Sequence, residues 1–203
     1  MKFYLKQAIV PFIYMIFVSI IALGILGIDN MVWLKAVLGV LNLILYSSLM
    51  IGISYKEGQQ ALKVRIANDV ERKQMIKTGM DRPLKLHEEY KWWKGFLMGA
   101  TACLPMVILM ILHTVLILIN PALVGFGVVA SYVYMAIFIF FALKPSAAKN
   151  PSPISAGRYY FNFLAIPIVM LVYGIGYNLG ARKIMQQQYL IKQKHRDIYG
   201  EEL

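Results

Sequence analysis

The stretch 55–95, YKEGQQALKVRIANDVERKQMIKTGMDRPLKLHEEYKWWKG, decides the reading of this chain. It is the only long polar segment, and near-continuous apolar sequence lies on both sides. It carries ten basic residues: Lys56, Lys63, Arg65, Arg72, Lys73, Lys77, Arg82, Lys85, Lys91 and Lys94. Six acids dilute them: Glu57, Asp69, Glu71, Asp81, Glu88 and Glu89. Lys and Arg close to the end of a membrane span resist translocation, so such a segment is expected on the cytoplasmic side. Within it, Leu62, Ile66 and Val70 fall on one helical face, and no proline interrupts 57–77. This predicts a helix running out of the preceding apolar block, its narrow stripe packed on the protein's own polar side. Thr78-Gly79 ends it, glycine being common just past a helix end. After the Asp81-Arg82-Pro83 turn, residues 84–94 are expected to re-enter as helix.

Outward from this segment, apolar blocks of about twenty residues or more occupy 8–28, 31–54, 96–119, 122–143 and 158–180, each long enough to cross a bilayer. The expected fold is therefore all-α: one polytopic membrane domain of about five transmembrane helices, with a cytoplasmic helical excursion between spans two and three. The tail, 181–203, continues the last span as an exposed helix. Pro105 predicts a kink in span three. Two pairs of small residues spaced four apart, Ser48 with Gly52 and Gly176 with Gly180, are candidate helix-packing positions, because small residues let backbones approach closely. Tyr90, Lys91, Trp92, Trp93 and Lys94 form a candidate anchor at head-group level.

The chain is 59% hydrophobic and carries a net charge of +11. With the apolar residues gathered in blocks, that charge reads as topology and contact with anionic head groups rather than nucleic-acid binding. Five crossings with the amino terminus inside place fifteen basic residues on the cytoplasmic side and six outside. Five of those six belong to the tail, which sets the tail against the charge bias. A re-entrant span three, interrupted by Gly99 and Pro105, is the alternative and would bring the tail inside. Five crossings are expected because each block is long enough to span.

Ionisable residues at membrane depth are the usual pointer to function, and this chain has few. His113 in span three, with Asn42 in span two and Asn162 in span five, makes a candidate intramembrane polar site; by default each bonds a neighbouring helix. The single cysteine, Cys103, can form neither an internal disulfide nor a cysteine-based metal site. No phosphate loop, HExxH or GxSxG pattern occurs, so neither a cofactor nor a metal is expected. The leading functional expectation is a non-catalytic integral membrane protein of the cell membrane, a subunit or scaffold with a membrane or cytoplasmic protein partner. The alternative is a transporter component for a small or lipophilic solute. An enzyme or lipid-handling protein using the basic belt ranks third.

Overall fold

The computed structural model describes residues 9–14, 16–18, 20–21, 25, 32–81, 83–119 and 165–200. Span four, the proline-rich loop after it and the start of span five, Asn162 included, lie outside the described residues. Those described are helical with no strand: α1 (Ile9–Val18), α2 (Val32–Thr78), α3 (Lys94–Ala102), α4 (Leu104–Ile119) and α5 (Ala165–Tyr199).

Helix α2 runs 47 residues without a break, apolar in its first half and charged in its second. Nothing in 32–78 forces a stop: there is no proline, and Gly39, Gly52 and Gly58 are single residues that helical neighbours carry through. It ends where Gly79 takes a left-handed φ of 67° and its N–H donates to the Met75 carbonyl at 2.8 Å, which satisfies one of the terminal acceptors. One helix among the described residues, α2, is long and apolar enough to cross a membrane.

The sequence reading placed a helix over 84–94. The structure instead gives 83–93 a chain of turns, and helix begins only at Lys94. The turns hold because their polar groups bond to α2 and α5, as set out below. The expected span three is two helices, α3 and α4, separated at Cys103. Pro105 has no N–H to give Thr101, and the Cys103 amide bonds back three residues to Ala100 at 3.1 Å, tightening the turn.

Helices α2 and α5 pack side by side in parallel. Gly176 lies against Ile51 and Ser54, Gly180 against Tyr55, and Leu62 packs on Ala181 and Ile184. Helix α3 runs the opposite way along α5, with Gly95 against Tyr177 and Gly99 against Met170. The polar ends of both helices, 55–78 and 181–199, therefore lie at the same end of the pair. Tyr46, Met50, Val169, Tyr173 and Tyr177 fill the seam at full burial. Leu62 and Ile66 of the amphipathic stripe pack against α5, while Val70 stays 51% exposed.

Candidate functional site

Where α2 turns from apolar to charged, the 83–93 segment wraps across it and meets α5, forming a polar collar. Glu89 is buried there. Its Oε1 accepts from Asn68 Nδ2 and from Arg72 Nη2, both at 2.7 Å, and Arg72 also donates to Asp69 at 2.8 Å. The Tyr90 amide donates to the Ala61 carbonyl of α2 at 3.0 Å. On the other flank, the Tyr90 hydroxyl donates to Asn178 Oδ1 of α5 at 2.5 Å, and Asn178 Nδ2 donates to the carbonyls of Trp92 and Gly174. The Tyr90 and Tyr177 rings stack with centroids 5.5 Å apart. One short loop thereby ties the two parallel helices together.

Lys94 is only 3% exposed. Its Nζ donates to the His87 carbonyl at 2.8 Å and the Glu89 carbonyl at 2.6 Å, which holds the loop closed over the start of α3. Burial, and then the nearby Lys91 charge, push its pKa below the ordinary lysine value. Across the collar, Glu57 accepts from the Tyr173 hydroxyl at 2.5 Å. Burial raises the Glu57 carboxyl above its ordinary value, and that hydrogen bond offsets part of the rise. Glu57, Gln60, Ala61, Val64, Glu88, Lys94, Met98 and Tyr177 line a cavity of about 70 Å³.

The residues singled out by sequence fall in different places. Lys91, Trp92 and Trp93 face outward, with Lys91 Nζ 5.8 Å from the Trp93 ring and Trp92 67% exposed. Tyr90 and Lys94, grouped with them as anchors, turn inward instead. A side chain on Gly176 or Gly180 would collide with Ser54 or with the Tyr55 carbonyl, respectively. Ser48 is exposed, and Gly52 has nothing within 4 Å of the place a Cβ would take, so this second pair joins no described helix. Asn42 is buried and donates to the Val18 carbonyl at 3.3 Å. The backbone of His113 is in α4, but its side chain and Asn162 lie outside what the structure describes. Among the described residues, no group of three or more His, Cys, Asp or Glu side chains could hold a metal ion.

Sequence reasoning missed the Glu57–Tyr173 bond, the Asn68–Glu89–Arg72 cluster and the inward turn of Lys94. Glu57 is three residues past Ser54, at the polarity boundary, and an acid at that boundary was the available signal. No protein-family model matches the chain, and neither a curated protein nor a solved structure matches it.

Proposed function

We propose that the chain is a multi-pass, non-catalytic membrane protein of the cell membrane, a subunit or scaffold whose two parallel polar helix ends share the cytoplasmic side and receive a partner. The observation that carries this is the parallel packing of α2 and α5. It brings the five basic residues of the tail to the same side as the ten of 55–95, which removes the conflict with the charge bias. It also calls for an even number of complete crossings rather than five. Exposure supports the bilayer. Only 28% of the most apolar window of α2 is buried, whereas the core helix of a soluble protein is mostly buried. Val37, Leu41, Ile44, Ile108, Ile111, Leu171 and Ile175 all face outward.

Single cysteines at Thr78 and Gln193, in a Cys103→Ala background, test the orientation. Both are expected to resist an impermeant thiol reagent in intact cells and to react after the membrane is opened. Labelling of one site but not the other from outside would break the parallel arrangement. Affinity capture of the full chain from mild detergent tests the subunit reading; a chain that elutes alone argues against it.

The transporter reading has one observation in its favour. Asn42 Oδ1 and the Tyr46 hydroxyl, one turn apart on the apolar half of α2, are buried without a hydrogen-bond partner among the described residues. Polar groups held at that depth are what a solute path requires.

A further inference from the structure

The cavity in the collar has opposite charges on its walls. Lys94 stands at the start of α3, while Glu57 and Glu88 stand on α2 and on the connecting loop. Among the described residues these groups form no ion pair with one another. Two of the three Lys94 ammonium protons are used on loop carbonyls, which leaves one donor for whatever enters. Glu57 spends one oxygen on Tyr173, and its other oxygen remains an acceptor. A space of about 70 Å³ exceeds what one water needs, roughly 10–15 Å³ on the same measure. The depth is that of the polarity boundary, and Lys94 on its wall directly follows the exposed Trp92 and Trp93 in the chain.

Resting on the membrane reading above, we propose that this cavity binds an aminoethyl phosphate group, the head group of phosphatidylethanolamine. The phosphate takes the remaining Lys94 proton, and the primary ammonium donates to the Glu57 and Glu88 carboxylates. Choline carries the same charge but has no N–H to donate, and its three methyl groups need more room. Glycerol phosphate has no cation for the two acids.

Native mass spectrometry of the full chain in detergent, with equal mole fractions of phosphatidylethanolamine, phosphatidylcholine and phosphatidylglycerol, tests the site. Retention of phosphatidylethanolamine about tenfold over the other two is expected. Glu57→Gln, which removes the charge, and Val64→Phe, which fills the space, should each abolish the preference while the melting temperature stays within a few degrees of wild type. Free phosphoethanolamine forms a second arm. Retention of the lipid identifies a bilayer source, and binding of the soluble compound alone identifies an aqueous one. Equal retention of all three lipids without binding of the soluble compound overturns the proposal, as does a preference that survives both substitutions. Alkaline extraction is run on the same preparation. A chain released from the membrane overturns the membrane reading; one that stays there without a head-group preference overturns only the site.

Discussion

Ser48–Gly52 and Gly176–Gly180 have the same spacing and opposite surroundings. Along α5, the second pair presses on the backbone of α2 so closely that a methyl group at Gly180 would overlap the Tyr55 carbonyl. Along α2, the first pair looks outward, and a methyl at Gly52 would meet nothing. A small residue permits close approach but does not summon a partner; the bulky neighbours decide. Gly176 and Gly180 alternate with Tyr173 and Tyr177, both fully buried, so that side chain and gap interlock. Ser48 and Gly52 stand among Ile44, Leu45 and Leu41, whose side chains point away from the seam.

The largest expected effect tests that contrast directly. Gly180→Ala should destabilise the protein by about 3 kcal/mol, because a backbone, rather than a pliable side-chain tip, must move. The check is a melting curve in detergent. An unchanged curve would mean that α2 and α5 are not held at this distance.

A smaller effect tests the same seam one turn further along. The folded-state pKa of Glu57 is raised, so the native chain holds its proton to a higher pH than the unfolded chain does. Stability from this group is therefore greatest below the ordinary value of 4.5 and falls as pH rises from there through the raised value. Glu57→Gln should remove that component of the slope, read as melting temperature against pH. A slope identical in the variant would place the acid in water rather than in the collar.

Gly52→Ala supplies the counterpart. It should raise stability by about 0.5–1 kcal/mol, the helix-propensity gain with no contact to oppose it. A loss on the scale of Gly180→Ala would reveal a partner on the outward face.

Much of the local structure was legible in the sequence. The helix running on through Tyr55, its stop at Gly79 and the break near Pro105 each rest on a local rule that no long-range contact overrides. The direction of α5 was not legible. Hydropathy gives the length of a helix and says nothing of which way it runs past another. The 84–94 segment was misread for a related reason. Its residues suit a helix, but Glu89, Tyr90 and Lys94 find better partners on α2 and α5 than helical neighbours would supply. Lys94 was grouped with Trp92 and Trp93 because they adjoin in sequence. The turn at 91–93 sends them to opposite sides, and a run of letters carries no record of two loop carbonyls waiting inside.

The unbroken length of α2 has a mechanical consequence. At 1.5 Å per residue, 47 residues make a rod of about 70 Å, of which a bilayer core would take up about 30 Å in the membrane setting proposed above. The charged half, 55–78, is then a lever arm of about 36 Å. With no hinge along it, a tilt of about 10° at the apolar end, well within the range of membrane helices, sweeps the Thr78 end sideways by about 6 Å. In that proposed setting, bilayer thickness and the load at the tip of α2 would be geared to one another.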